Sequence, residues 1–189
     1  MKKGLPLLIV AAVILIPVLM GMGTYNSMVS KQEAAKTAWS QVENQYQRRF
    51  DLVPNLVETV KGYAKQEREV LTEVTRLRSQ WGEARSAGDI GKAQEAARGL
   101  DTALSRLLLV VEQYPQLKSN ENFLRLQDQL EGTENRISVE RRRYNLSVQE
   151  YNTQIRSFPT NLIASMFGFS RMPLFEAEAA AQKAPKVSF

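Results

Sequence analysis

Residues 123–158 read FLRLQDQLEGTENRISVERRRYNLSVQEYNTQIRSF. Within them Phe123, Leu130, Ile137, Tyr144, Tyr151 and Phe158 recur every seven residues, and Leu126, Val148 and Ile155 fill the intermediate rows. That spacing draws one apolar stripe along a helix, as in a coiled coil or bundle. At a rise of 1.5 Å per residue the stripe would run for roughly 50 Å. Thr133, Glu134 and Arg141 interrupt it where apolar side chains are expected. Polar residues on such a row can fix the register of a bundle.

Working back from this segment, few prolines punctuate the chain, and the stretches between Pro54, Pro115 and Pro159 are long enough for extended helices. Met28, Val29, Ala35, Trp39, Val42, Tyr46 and Phe50 recur at helical spacing and predict a first helix over residues 25–50. Asp51 reads as an N-cap with Pro54 in the first turn after it, so a second helix starts here or the first one kinks. The pattern then continues through Leu56, Val60, Leu71, Val74 and Leu77 to Trp81-Gly82. Ser86-Ala87-Gly88-Asp89 supplies a turn and a new cap, and a third helix from Ile90 through Val111 stops at Tyr114-Pro115. No stretch alternates with period two. The expected fold is all-α: an antiparallel up-and-down four-helix bundle over 25–159, after an N-terminal membrane anchor in 1–24 and before an apolar C-terminal tail in 160–189.

The anchor rests on an uncharged stretch of 19 residues from Leu5 to Gly23, carrying Leu5, Ile9, Val13, Ile16 and Met20 and preceded by Lys2 and Lys3. As a helix it would reach about 28 Å, close to the thickness of a bilayer core. Pro6 and Pro17 are better tolerated in lipid than in a soluble helix. A cleaved signal peptide is the alternative, but the apolar core exceeds the usual h-region and no Ala-x-Ala follows. Basic residues at the very start place the N-terminus in the cytoplasm and the rest of the chain outside a bacterial inner membrane, as a single-pass protein.

Composition excludes whole classes of chemistry. The 189 residues contain no histidine and no cysteine, which removes His-dependent nucleophile systems, thiol redox chemistry and Cys/His zinc sites. A di-metal bundle site needs Glu with His three residues on, so Glu134 and Glu140 do not make one. No glycine pattern cradles a phosphate. No cofactor and no metal is therefore expected. Without Lys2 and Lys3 the chain has 23 basic against 20 acidic residues, and acids alternate with bases around the Arg141-Arg142-Arg143 run. Nucleic-acid binding needs a one-signed face, and none is expected.

Two regions stand out as candidate surfaces. Gln45, Arg48, Arg49, Asp51, Asn55 and Glu58 surround the first helix junction and, with Glu134 and Arg141, form either a docking cluster or a hydrogen-bonded network that fixes the turn. Beyond Pro159, the tail carries Leu162, Ile163, Phe167, Phe169 and Phe175, too many large apolar groups for a free end. Three surfaces are open to it: the end of its own bundle, a neighbouring subunit, or the membrane. Those five residues are the candidate contacts of a homo-oligomer. Tyr144-Asn145 and Tyr151-Asn152 repeat seven residues apart, with the tyrosines on the buried row and their hydroxyls at its polar edge.

Three stretches carry a family resemblance: WSQVENQYQRRFDLVPNLV at 39–57 continuing into VKGYA at 60–64; EQYPQLK at 112–118; and LQDQLEGTENRI at 126–137 running on through Arg143-Tyr144-Asn145, Tyr151-Asn152 and Phe158-Pro159. In this order they resemble the LemA family of bacterial membrane proteins. The resemblance implies one N-terminal span followed by a helical bundle, and it brings no catalytic residues. Gln66-Glu67 stands where relatives often have His-Glu, which removes any shared histidine chemistry. The expected function is a membrane-anchored, non-enzymatic scaffold or interaction protein that assembles with copies of itself, with the bilayer and an unidentified membrane or envelope protein as partners. A lipid or small-ligand carrier, favoured by an apolar cavity, and a histidine-free enzyme using carboxylate, Lys or Tyr groups, favoured by titratable groups converging on a pocket, are the rival readings.

Overall fold

The computed structural model describes residues 4–64 and 67–175, without the side chains of 4–14 and 17. Six helices occur in order: α1 (Gly4–Lys61), α2 (Arg68–Ser86), α3 (Ile90–Val111), α4 (Pro115–Lys118), α5 (Glu121–Arg156) and α6 (Thr160–Met166). No strand occurs among the described residues. Among the residues whose side chains are described, no helix is long and apolar enough to cross a membrane. Of the expected anchor, Leu5, Ile9 and Val13 have side chains outside the described ones, and Ile16 and Met20 are exposed.

Of the two alternatives at the first boundary, a new helix does not occur. Asp51 does not cap a new helix. It lies inside α1, where its carboxylate accepts a hydrogen bond from Gln47 Nε2 at 2.7 Å, and the helix runs on through Pro54 to Lys61. An interior proline costs about 3 kcal/mol. Phe50, Val53, Leu56, Val57 and Val60 are all buried around it, each contributing roughly 1.5–3 kcal/mol, so packing outweighs the lost backbone bond. The helix ends at Lys61, and past it the Tyr63 and Ala64 N–H groups both donate to the Val60 carbonyl.

The turn between α2 and α3 matches its sequence signal. Gly88 adopts a left-handed φ of 66°, and the Asp89 carboxylate accepts from the Lys92 N–H at 3.0 Å. That hydrogen bond holds the carboxyl below its ordinary pKa, with burial opposing. α2 runs past Trp81-Gly82 to Ser86 because Ala84 still buries its face. Across the hairpin, Gly99 receives Leu77, whose Cδ2 would stand 2.6 Å from any Cβ added there. Pro115 opens α4 as its first residue, and Asn120 caps α5 by accepting from the Phe123 N–H at 3.1 Å.

The described residues divide into two compact units, both built on α1 and α5. One comprises Ser40–Arg142 with Phe175. In it Arg85 of α2 reaches Glu43 and Gln47 of α1, while Trp81 lies against Tyr46 and Phe50. Rising numbers on α1 thus meet falling numbers on α2. Asn120 at the head of α5 donates to the Tyr63 hydroxyl near the end of α1, and Arg49 pairs with Glu134, so this pair is antiparallel as well. The other unit comprises the chain up to Trp39 with Arg143–Leu174. There Ser27 meets Gln154, Lys31 meets Glu150 and Trp39 meets Tyr144, again antiparallel. Of the seven-residue row on α5, Phe123, Leu130, Ile137, Tyr144 and Tyr151 are buried. Phe158 is the exception at 81% exposed, because α5 ends at Arg156 and the row ends with it.

Candidate functional site

Four charged side chains from three helices meet in the first of these units. Arg49 sits three residues after Tyr46 and four before Val53, both buried, so helical geometry turns it into the apolar stripe of α1. It is only 4% exposed. Its guanidinium forks, one nitrogen donating to Asp101 of α3 and the other to Glu134 of α5. Arg141 of α5 donates to the second Asp101 oxygen, which also accepts from the Tyr46 hydroxyl at 3.2 Å. Phe175 stacks on Tyr46, ring centroids 6.1 Å apart and 8° from parallel. Arg141 lies over the Phe175 ring at 4.3 Å, a cation–π contact.

Asp101 therefore holds three donors, and Arg49 joins α1 to α3 and α5. Charge-assisted bonds of this kind are about twice as strong as neutral ones. Taking a cation this far out of water is costly, however, and offsets much of what these bonds contribute to stability. A cleft of about 470 Å³ opens beside it, lined by Leu104, Leu108, Leu130 and the charged residues. The Glu134 side chain, half-exposed, stands at its edge. Among the described residues no three acidic side chains converge as a metal site would need.

The expected cluster around residue 50 separates along the helix. Only Arg49 enters the network, and Glu134 and Arg141 join it from α5. Gln45 is half-buried; Arg48, Asp51, Asn55 and Glu58 are exposed, with Glu58 paired to Lys61. Asp101 was not anticipated. Its signal was present: it stands four residues after Ala97 and three before Leu104 on the buried face of α3.

Of the expected tail, residues 176–189 lie outside the described ones; residues 160–175 settle on their own chain. Met28, Tyr151, Ile155 and Ala164 form a buried cluster, with Ile163, Phe169 and Met172 packed against it. The Tyr144 hydroxyl donates to the Pro173 carbonyl at 2.7 Å, the Tyr151 hydroxyl to the Ser170 carbonyl at 2.9 Å, and Asn152 both donates to the Met172 carbonyl and accepts from its N–H. Burial pushes the Tyr151 phenol above its ordinary pKa, with Lys36 opposing. Of the candidate oligomer contacts, Phe175 is buried by Tyr46 and Arg141. Ile163 and Phe169 are taken up by the cluster, whereas Leu162 and Phe167 stay exposed.

Comparison with known proteins places these features in a wider group. The model of the LemA family matches residues 38–189. Magnetosome protein MamQ 2 of Paramagnetospirillum magneticum is 30% identical over an alignment of 179 positions that takes in 82% of this chain and 66% of that protein. Magnetosome protein MamQ of Magnetospirillum gryphiswaldense shows the same identity and coverage. Protein LemA of Metamycoplasma hominis is 26% identical over 158 residues, 82% of this chain and 70% of its own. The chain spans 66% of the length of the first of these curated relatives.

Proposed function

The chain belongs to the LemA family, and from that premise we propose that it is a membrane-anchored, non-enzymatic scaffold. Residues 5–23 cross the bilayer once, and the helical body is presented on the outer side to copies of itself and to other envelope proteins. Family membership and the likeness to magnetosome proteins support membrane association without a catalytic role. The observation that carries the reading is α1 itself. One helix from Gly4 to Lys61 holds the uncharged stretch at one end and buried core residues at the other, so anchor and body share a backbone with no intervening loop. Tethering every copy to one plane raises effective concentration and lets weak contacts between bodies suffice for a homo-oligomer.

The test uses the full chain. It should float with vesicles and resist alkaline extraction, and a cysteine introduced as Gly88→Cys should react with a membrane-impermeant maleimide while the cytoplasm stays sealed. Crosslinking in intact cells should then trap a second copy or a fixed envelope protein. Release by alkali would remove the anchor, and labelling only after the inner membrane is lysed would reverse the orientation.

The cleft beside Arg49 and Glu134 favours a second reading, a carrier for a small ligand with an apolar body. A ligand whose binding is lost in Glu134→Gln with folding intact would support it over the scaffold.

A further inference from the structure

The tail leaves one apolar face uncovered. In α6, Ile163 and Ala164 turn inward, while Leu162 and Met166, one helical turn apart, stand 60% and 76% exposed. Phe158 before the helix and Phe167 after it are exposed as well. Two large apolar side chains on one turn of so short a helix, with two more flanking it, exceed the scatter of single exposed residues normal on a soluble surface.

Its place in the unit says what covers this face. Ile163 Cδ1 comes within 4.0 Å of the position a Cβ on Gly21 would occupy. Phe167 and Phe169 pack on Tyr25, with ring centroids 4.9 and 5.6 Å apart. α6 therefore lies beside the last turn of the uncharged stretch, which ends at Gly23. Gly21 is only about 3 Å short of that end along the helix. On the anchor reading this is the level at which hydrocarbon gives way to headgroups. Tyrosine is enriched at that level, and Tyr25 occupies it. An interfacial helix buries its apolar face about 5–10 Å into the same boundary. Arg156 and Arg171, exposed on either side of α6 in the chain, suit lipid phosphates.

We propose that α6 is a second membrane contact, an interfacial helix lying in the outer leaflet of the bilayer beside the single span, with Phe158, Leu162, Met166 and Phe167 inserted among the lipids. The inference rests on the anchor reading. It adds that the unit holding α6 does not swing freely on its anchor: two contacts fix its rotation about the start of α1.

The native chain has no cysteine, so single probes are clean. Met166→Cys, Leu162→Cys, Gly88→Cys and Ile16→Cys would each be made in the full chain, labelled with an environment-sensitive fluorophore and reconstituted into phosphatidylcholine–phosphatidylglycerol vesicles. The vesicles would carry nitroxide lipids with the quencher near the headgroup or deep in the acyl chain. Helical content is checked by circular dichroism, and either α6 variant suffices if the other misfolds. The α6 probes should be blue-shifted and quenched mainly by the shallow nitroxide, the Ile16 probe by the deep one, and the Gly88 probe by neither. An α6 probe that resembles Gly88 while Ile16 is quenched overturns the interfacial helix and leaves the anchor standing. An Ile16 probe that no lipid quenches, in a chain that does not float with vesicles, defeats the anchor and the interfacial helix together. A blue-shifted α6 probe that lipids do not quench, and whose shift grows with protein density, assigns the face to a second copy and also overturns the proposal.

Discussion

The two units are held by opposite chemistry. Around Arg49 the contacts run from side chain to side chain and nearly all are charged, so each partner's identity matters: Asp101 receives two guanidinium groups and a phenol. Around Tyr151 the contacts are neutral and run from α5 side chains to the backbone of residues 170–173. The first arrangement constrains sequence at both ends of every bond. The second fixes where the tail lies while leaving its side chains comparatively free. Tyr144, Tyr151 and Asn152 on one helix thus hold an irregular segment by its backbone, and Arg49 joins helices through charged partners.

The sharpest way to break this contrast is Asp101→Ala, which leaves two arginines facing each other without their shared anion. It should cost about 3–5 kcal/mol in urea unfolding, and a loss below about 1 kcal/mol would show that water replaces the carboxylate. Asn152→Ala should come next. It strands the Met172 N–H and carbonyl and should cost about 1–3 kcal/mol, whereas Ser170→Ala, which keeps every backbone acceptor, should leave the unfolding midpoint where it is. A similar loss in both variants would mean that the latch reads side chains after all.

Tyr151→Phe removes a single neutral bond and should cost about 0.5–1.5 kcal/mol. Because burial raises the Tyr151 pKa in the folded chain, its contribution is fully present below the unfolded value, near pH 10, and is lost as pH rises through the higher folded one. The difference between wild type and Tyr151→Phe should therefore shrink only above about pH 10, as followed by thermal unfolding across alkaline buffers. The smallest effect belongs to Asp89. Its pKa is lowered, so its support for α3 is present above the unfolded carboxyl value and fades as pH falls through the lower folded one. Asp89→Asn, which keeps an N-cap acceptor, should lose that acid sensitivity while retaining most of the midpoint.

The helical fold was legible wherever the apolar rows were long. The α5 row read true from Phe123 to Tyr151, and Gly88-Asp89 marked a real turn and cap. Pro54 and Pro115 show where such reading fails. Local rules treat both as boundaries, and Pro115 is one, but Pro54 is overridden because the buried residues on each side outweigh its missing N–H. Burial is a property of the packed helices, not of the neighbouring letters. The charged site was half legible for the same reason. Glu134 and Arg141 interrupted a regular stripe and so were visible, whereas Asp101 on the Ala-rich α3 was not recognised. The tail's apolar surplus was plain, but its receiver depends on distances no sequence prints.

The Arg49 cluster also has a consequence for how the molecule looks from afar. Arg49 and Arg141 set against Asp101 and Glu134 leave these four side chains with no net charge. Their field dies away faster than that of a lone ion, on top of the screening that salt imposes within about 8–10 Å. An approaching molecule is therefore not steered by this cluster. Attraction at a distance must come from the acids and bases on the outer helix faces, so changes in ionic strength should alter encounter rates while leaving helix pairing inside almost untouched.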